Sequence, residues 1–252
     1  MSTQTPQAAK PSCIYGPVKS WRYGQSLGVD LLREVSTCSF NCIYCQLGDI
    51  VQKTNERKIY VPTAEIMADF ETSNWQQADI ITFSGSGEPT LALNLKEVLS
   101  EFRKRTDKPI LVLTNGTQLA DPDVVDALCQ YATTVAIKLD ASSEEKLQQM
   151  NRPVDGVTLE KIITSAKAFK KVFPGKLSIQ TMFMPTNREE VEGIAAIVKA
   201  IQPDELALEL KSQLSRLKQY TTAIDSISNH HGIVYMDTDL FKPYAAVAAD
   251  EG

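Results

Sequence analysis

Long apolar runs and histidine are both scarce in this sequence of 252 residues. No apolar stretch approaches the ~18 residues that a membrane-spanning helix needs, so we expect no membrane partner. Residues 1–12 are polar and lack the apolar centre of a secretory signal, and we expect them to be a disordered tail. The two histidines, His230 and His231, are adjacent in a segment that predicts an exposed turn.

The sequence also lacks internal repeats and low-complexity linkers, so we expect residues 13–252 to form a single domain. A formal net charge of −5 argues against a protein that coats long nucleic acid. Lys53, Arg57 and Lys58 form a small basic group, which is typical of a solvated surface. A local RNA-binding patch at these residues stays open.

Five cysteines are present, and three of them, Cys38, Cys42 and Cys45, lie within eight residues. Such crowding is not typical of a disulfide framework and indicates a metal site in a reducing cytoplasm. Thiolates suit iron–sulfur clusters, zinc or copper(I). No fourth cysteine or histidine lies nearby, and a cubane cluster held by three cysteines leaves one iron open to a small molecule. The alternative is a structural zinc completed by Cys13 or His230.

Predicted strands and helices alternate along the chain, which favours a parallel sheet covered by helices. The predicted strands are 26–32, 79–84, 109–114, 133–140, 176–184 and 205–210, with a short last strand at 233–236. The predicted helices are 62–73, 93–105, 121–131, 143–150, 159–173, 189–201 and a stretch to about 228. Residues 14–24 predict an ordered loop or hairpin. Six strand–helix units are too few for a closed eight-stranded barrel, so we expect an α/β fold of the open, partial (β/α)6 barrel type.

Polar residues follow the carboxyl ends of the predicted strands, where barrels of parallel strands carry their chemistry. Glycines let a backbone approach a ligand closely, and carboxylates bind ammonium groups. The second strand is followed by Gly85, Ser86, Gly87 and Glu88. The next three strands carry Thr114, Asn115, Lys138, Asp140, Gln180 and Met182 at or near their ends. Lys138 and Asp140 are equally compatible with a salt bridge, and Met182 with core packing.

The spacing C-x3-C-x2-C, with Tyr44 before the third cysteine and the glycine-rich segment downstream, resembles the radical S-adenosylmethionine (SAM) superfamily. There, SAM chelates the open iron of a [4Fe–4S] cluster, an electron cleaves it, and the resulting 5'-deoxyadenosyl radical abstracts a hydrogen atom from a substrate. The resemblance implies that Cys38, Cys42 and Cys45 bind the cluster and that Tyr44 packs near the adenine. It also implies that the segment from Gly85 to Glu88 binds the amino group of SAM. The position of the other strand-end residues predicts that they form the rest of the cofactor site.

Three segments, 15–30, 42–48 and 83–91, resemble a branch related to the wyosine-base tRNA enzymes. The archaeal wyosine enzymes carry three further cysteines for a second cluster, whereas here only Cys13 precedes the main loop. We therefore expect an enzyme acting on a small, unidentified substrate, with an electron donor such as flavodoxin or ferredoxin. The alternatives are tRNA-base modification and a non-catalytic iron–sulfur binding or electron-transfer protein. A catalytic thiol at Cys13 is a further, weaker alternative, and Cys129 is expected to be a small buried apolar side chain.

Overall fold

A computed structural model describes residues 10–20, 22–210 and 232–235, with only the backbone described at 209–210 and 232–235. Most of the expected N-terminal tail lies outside these ranges. His230, His231 and the helix predicted to run to about residue 228 also lie outside the described residues.

One eight-stranded sheet organises the described part of the chain, in the order β1-β2-β5-β6-β7-β8-β9-β10. Its strands are β1 (Ile14–Ser20), β2 (Gly24–Val29), β5 (Ile80–Phe83), β6 (Ile110–Thr114), β7 (Thr134–Lys138), β8 (Lys176–Phe183), β9 (Glu205–Leu210) and β10 (Gly232–Tyr235). A separate parallel pair comprises β3 (Thr37–Cys38) and β4 (Gln52–Lys53). Only β1 and β2 pair antiparallel in the large sheet, which confirms the hairpin expected at residues 14–24. The other neighbours are parallel and the sheet is not closed, as predicted.

Helices connect the parallel strands. They are α1 (Thr63–Glu71), α2 (Leu95–Arg105), α3 (Pro122–Tyr131), α4 (Glu144–Met150), α5 (Leu159–Val172) and α6 (Val191–Ile201). Three of them begin with a side-chain cap, because Asp121, Ser143 and Thr158 each accept a hydrogen bond from a first-turn backbone N–H. Asp121 with Pro122 behind it is the start that the sequence predicted for α3.

Several predicted boundaries differ from the structure by two or three residues, and two of the differences have a clear physical reason or consequence. The first parallel strand ends at Val29 rather than residue 32, because the Asp30 carboxylate accepts hydrogen bonds from the N–H groups of Leu32 and Arg33 and turns the chain. Helix α2 begins at Leu95 rather than Leu93, and Leu93 is exposed instead of lying on the apolar face. A single 3-10 turn at Pro89–Leu91 occupies the connection before it.

Alternate residues of each strand face opposite sides of the sheet. The outer side packs under the helices in one large core, to which residues such as Ile81, Val112 and Val135 belong. The concave side carries a much smaller apolar cluster of Ile80, Leu111 and Ala136, with Tyr23 and Leu113 packed against it. The helices therefore cover one face, and the other face is the interior of the partial barrel.

The turn of the β1–β2 hairpin closes the lower end of this interior, where the parallel strands begin. Tyr23 packs on the concave apolar cluster, and the Arg22 guanidinium lies over its ring at 4.9 Å. Arg22 is also 3.6 Å from Glu205, at the start of β9, and Glu205 is paired with Lys176 at the start of β8. Side chains of the hairpin turn thus meet those at the start of β8 and β9 across the barrel, and protein occupies this end.

Candidate cofactor site

The three clustered cysteines lie on the loop that begins at the end of β3. Cys38 is the last residue of β3, and Cys42 and Cys45 follow in a turn where the Cys45 N–H donates to the Cys42 carbonyl at 3.0 Å. All three side chains are half-buried. We call residues 38–45 the cysteine loop.

The glycine-rich segment that follows β5 pairs with the start of the cysteine loop. The Thr37 N–H donates to the Ser86 carbonyl at 2.8 Å, and the Glu88 N–H donates to the Thr37 carbonyl at 3.0 Å. Gly87 has a φ of +150°, and a Cβ there would lie 1.7 Å from the Thr37 carbonyl oxygen. Only glycine lets the two backbones approach this closely. The glycines therefore join two segments of the chain, and the sequence resemblance alone did not show this role.

Asp30 holds the glycine-rich segment from β2. Its Oδ2 accepts hydrogen bonds from the Ser86 N–H at 3.0 Å and the Ser86 hydroxyl at 2.5 Å. A Cβ on Gly85 would lie 2.5 Å from the Asp30 carboxyl carbon, so this close packing also requires glycine. Sequence reasoning missed Asp30, although it follows the end of a parallel strand like the residues that were singled out.

Glu88 is fully enclosed by hydrogen-bond donors. Its Oε1 accepts from the Thr90 N–H at 3.0 Å, the Thr90 hydroxyl at 2.6 Å and the Thr114 hydroxyl at 2.7 Å, and its Oε2 accepts from the Asn115 N–H at 2.6 Å. Burial raises the pKa of the Glu88 carboxyl, and these hydrogen bonds oppose the rise. In the described structure the carboxylate fixes the ends of β5 and β6 to each other. Binding of an ammonium group by this segment stays a prediction.

Asn115 connects the end of β6 to the cysteine loop. Its Nδ2 donates to the Ser39 hydroxyl at 2.8 Å and lies 3.6 Å from the Cys38 sulfur. Its Oδ1 accepts from the N–H and hydroxyl of Thr117. Asn115 is thus within contact distance of a cysteine sulfur, while its expected contact with a cofactor stays a prediction.

Tyr44, Lys138 and Asp140 also come together, beyond the end of β7. The Tyr44 hydroxyl donates a short hydrogen bond to Asp140 Oδ2, and Asp140 Oδ1 accepts from the Met182 N–H at 2.7 Å. The Lys138 ammonium lies 3.7 Å from Asp140 and 5.2 Å from the centre of the Tyr44 ring. Burial, followed by the Asp140 charge, raises the pKa of Tyr44 well above its usual value, so its hydroxyl stays protonated and acts as a donor.

Asn151 completes this arrangement and was missed by sequence reasoning. It follows α4 directly and is 1% exposed. Its Nδ2 lies 3.3 Å from the Cys42 sulfur, 3.2 Å from the Tyr44 hydroxyl and 3.0 Å from Asp140 Oδ2. The cysteine loop also bonds to this segment through its backbone, because the Asn41 and Ile43 N–H groups donate to the carbonyls of Asn151 and Met150. In the sequence, the position of Asn151 after a predicted helix was the one available signal. A residue at that position is usually on the surface, so the signal does not identify Asn151 as part of a site.

The last two of the predicted cofactor-site residues, Gln180 and Met182, lie on β8, next to β7. Gln180 pairs with Lys138 across the two strands, and Gln180 and Met182 are both half-buried while Ile179, Thr181 and Phe183 are buried. Gln180 and Met182 therefore share the concave face with Lys138, at its upper end. Whether any of them contacts a cofactor stays a prediction.

The other two cysteines lie apart from the cysteine loop. Cys13 is fully buried at the start of β1, where its N–H donates to Asp69 and its sulfur accepts from Arg33. Burial raises the pKa of Cys13 to about 12, so its thiol is protonated at neutral pH, in disagreement with a catalytic thiolate. Cys129 packs half-buried on α3 against the large core, less enclosed than expected.

The cysteine loop fits a cubane cluster by the chemistry of its donor set. Burial raises the pKa values of the Cys38 and Cys42 thiols to about 12 and about 11, so metal binding must displace their protons. Within the described ranges, no three Cys, His, Asp or Glu side chains converge as ligands of a single metal ion. A cubane binds each cysteine through a different iron, so its three sulfurs stand farther apart than the ligands of one ion.

A second observation fits a polar organic ligand beside the loop. The Oδ1 atom of Asn151 is buried and accepts no hydrogen bond from the described residues. A buried acceptor without a donor is costly, and an amino or hydroxyl group of SAM is a donor of the kind it lacks.

This chain belongs to the radical SAM superfamily, whose sequence model matches residues 35–198. The matched range includes the cysteine loop, the glycine-rich segment, Asn151 and the strands from β5 to β8. Superfamily membership confirms the resemblance found in the sequence. The chain is therefore a radical SAM enzyme whose cofactors are a [4Fe–4S] cluster and SAM.

Individual relatives with substantial sequence identity place this chain in the UPF0026 family. A UPF0026 protein of Synechocystis sp. is 42% identical over 225 residues, which are 89% of this chain and 83% of that protein. A UPF0026 protein of Methanocaldococcus jannaschii is 33% identical over 202 residues, which are 77% of this chain and 62% of that protein. The chain thus spans less than two thirds of the archaeal relative.

A solved structure of TYW1 with a lysine-pyruvate adduct bound has the same fold. Its TM-score is 0.62 at 14% identity, and the match covers 84% of this chain and 76% of that one. At this identity the likeness concerns the partial barrel alone. In the described part of this chain, no helix combines the length and the apolar character that crossing a bilayer would require.

Proposed function

We propose that this radical SAM enzyme abstracts a hydrogen atom from a small substrate held in the upper part of the barrel. When bound, the cluster and SAM together supply the electron and the 5'-deoxyadenosyl radical for that step. In this proposal the protein encloses the cofactors and the substrate and sets their relative orientation. In this proposal the ligands of the cluster are Cys38, Cys42 and Cys45.

One observation carries the proposal: hydrogen bonds tie the cysteine loop to the carboxyl ends of three successive parallel strands. Thr37, directly before the loop, bonds to the segment after β5, while Ser39 and Tyr44 of the loop bond to Asn115 after β6 and Asp140 after β7. Loops at these ends form the active-site face of parallel barrels. These bonds support a shared site for the predicted cluster ligands and the predicted SAM contacts.

The enclosed lower end of the barrel supports a small substrate. Tyr23 and Arg22 fill the interior where the strands begin, and the concave apolar cluster lies above them. Above that cluster, Tyr15 covers Gly28, where a Cβ would lie 1.9 Å from the Tyr15 ring, and the Tyr15 hydroxyl is 2.7 Å from the Ser84 hydroxyl. Half-buried Lys138, Gln180 and Met182 provide polar and apolar contacts at the same level. In this proposal the substrate is therefore a small molecule or a single side chain rather than a folded partner.

The residues proposed to bind SAM divide by the groups that they offer. Lys138 supplies a positive charge for the methionine carboxylate, and backbone groups at Gly85, Ser86 and Gly87 supply close contacts for the amino end. Tyr44 supplies an aromatic face for the adenine. Thr114, Glu88 and Asp140 act mainly by holding these groups in place, because their own polar atoms are already bonded within the chain.

We also propose a cytoplasmic location and a small redox protein, such as flavodoxin or ferredoxin, as the electron donor. Free, half-buried thiols on the cysteine loop support a reducing compartment. The tRNA alternative has less support, because one of its three candidate cations is engaged within the protein. Arg57 donates to Asp121 at 2.7 Å and to the carbonyls of Thr90 and Ala92.

The test is anaerobic reconstitution of the cluster followed by incubation with dithionite and SAM. The wild-type protein should release 5'-deoxyadenosine, and Cys42→Ala should release none. Cys129→Ala is the matched control, since it removes a half-buried thiol remote from the loop, and it should behave like the wild type.

A cluster that persists while SAM stays intact would favour the non-catalytic alternative. Retention of the protein on tRNA at physiological salt, lost when Lys53 and Lys58 are neutralised, would favour tRNA-base modification instead of a small substrate.

A further inference from the structure

Asn151 is the described side chain that contacts a cysteine of the loop, the Tyr44 hydroxyl and the Asp140 carboxylate at the same time. Its Nδ2 lies 3.0–3.3 Å from all three acceptors. It is also 1% exposed, so water does not compete for these bonds. Such geometry is unusual for a residue at the end of a helix, where polar side chains are ordinarily solvated.

The orientation of the Asn151 amide follows from its neighbours. Asp140 Oδ2 accepts the Tyr44 hydroxyl proton and needs a donor on its other side, and the Cys42 sulfur is likewise an acceptor once deprotonated. A flipped amide would place its oxygen against both of these atoms. The N–H groups must therefore face Cys42 and Asp140, and the amide oxygen then accepts no hydrogen bond from any residue that the structure describes.

We propose that Asn151 is a positioning residue that tunes the reduction potential of the cluster through an N–H···S hydrogen bond to Cys42. This inference rests on the proposed ligation of the cluster by Cys38, Cys42 and Cys45. Hydrogen bonds to ligand sulfurs stabilise the more negative, reduced cluster and so raise its potential. Asn151 also lies between the Cys42 sulfur and the Asp140 carboxylate, two groups that both carry negative charge in the loaded protein.

Asn115 also lies near a cysteine sulfur, but its side chain is not an equivalent hydrogen-bond donor to that sulfur. Its Nδ2 is 3.6 Å from the Cys38 sulfur but only 2.8 Å from the Ser39 hydroxyl, which takes the better hydrogen bond. The closer asparagine donor to the cysteine loop is therefore Asn151.

The decisive measurement is the midpoint potential of the reconstituted cluster, titrated anaerobically and followed by EPR. Asn151→Leu keeps a similar volume and removes the donor. We expect its midpoint potential to fall by about 59 mV, which is a tenfold change in a one-electron equilibrium. Asn94→Leu is the matched control, because Asn94 is also buried, donates to the Val61 carbonyl and the Thr63 hydroxyl, and has an unbonded Oδ1. Its potential should equal that of the wild type.

The outcomes separate this inference from the proposed function. A wild-type protein that binds no cluster overturns both. A cluster that is present and cleaves SAM, but whose potential in Asn151→Leu is unchanged or higher, overturns only the role of Asn151.

A measurement on protein that keeps Asn151 decides the case in which Asn151→Leu does not fold or does not hold its cluster. With the side-chain amides of asparagine labelled with 15N and Asn115 replaced (Asn115→Ser), which removes the other asparagine nitrogen near a cysteine sulfur, pulsed EPR of the reduced cluster should detect coupling to a side-chain nitrogen. The complete absence of such coupling contradicts the N–H···S bond.

Discussion

At the end of the barrel where the strands begin, Glu205 is buried against two cations, Arg22 and Lys176. At the opposite end, Glu88 is buried against four neutral donors, and no described cation forms an ion pair with it. The first carboxylate is paired with positive charge, whereas the second is held by neutral hydrogen-bond donors. The same end as Glu88 also holds half-buried Lys138. The comparison supports our proposal that the first end stabilises the fold and the second binds the cofactors.

The largest effect is expected at the carboxyl ends of the parallel strands, where the backbone of the glycine-rich segment lies against the backbone of Thr37. Gly87→Ala places a methyl group 1.7 Å from the Thr37 carbonyl oxygen, so the cysteine loop cannot keep its position. We expect a loss of more than about 4 kcal/mol in the free energy of unfolding, together with loss of cluster binding. Chemical denaturation and iron analysis measure the two effects.

Gly156→Ala is the control for Gly87→Ala. Gly156 also has a positive φ, +81°, but a Cβ there meets nothing within 4 Å. Only the backbone penalty of about 1 kcal/mol should remain. Equal losses in the two variants would show that the contact with Thr37 is unimportant.

The next effect tests the end where the strands begin. Glu205→Ala removes the carboxylate that lies 3.6 Å from the Arg22 guanidinium, and both side chains are at most 8% exposed. Removing one member of a buried pair costs about 3 kcal/mol, and we expect this destabilisation without loss of cluster or SAM binding in the folded protein. Denaturation and SAM titration are the measurements. Lys96→Ala, which breaks a half-exposed pair with Asp126, should change stability little.

A smaller effect should appear in ligand binding alone. Lys138→Met keeps the side-chain length and removes the charge proposed to bind the SAM carboxylate. We expect SAM affinity to fall about tenfold, or about 1.4 kcal/mol, while iron content is unchanged. Lys146→Met serves as the comparison, because Lys146 donates to the Thr186 carbonyl instead. Unchanged affinity in Lys138→Met would remove this residue from the proposed site.

The smallest effect is a change in pH dependence. Because burial holds the pKa of Glu88 above its usual value of 4.5, the folded protein keeps this proton where the unfolded chain has lost it. The contribution of Glu88 to stability is therefore complete below pH 4.5 and declines as the pH rises through the raised pKa. Glu88→Gln should lack this decline. Unfolding titrations across the pH range in both proteins would show it as a difference in slope, and identical slopes would contradict it.

Much of this molecule follows from sequence periodicity. Alternating strands and helices predicted the open barrel, and polar residues at strand ends predicted a shared face, because parallel strands bring these ends together. The short-range signals failed where a long-range contact decides the conformation. Asp30 turns the chain by a local contact with Leu32 and Arg33, but no local pattern marks its second role, which is to hold Ser86, 56 residues away. The sequence does not single out Asn151 either, because its partners are Cys42 and Asp140 rather than its neighbours in the helix.

The anchoring of the cysteine loop has a consequence for how the enzyme matures. Cys42 and Asn151 are separated by 109 positions, and the backbone bonds between residues 41–43 and 150–151 span a similar distance. Contacts of such long separation form late, after the intervening strands and helices have assembled. In a zinc finger the metal organises an otherwise unfolded chain. Here the polypeptide would have to fold around the cluster site first. Insertion of the iron would then be the last step of maturation and would not initiate folding.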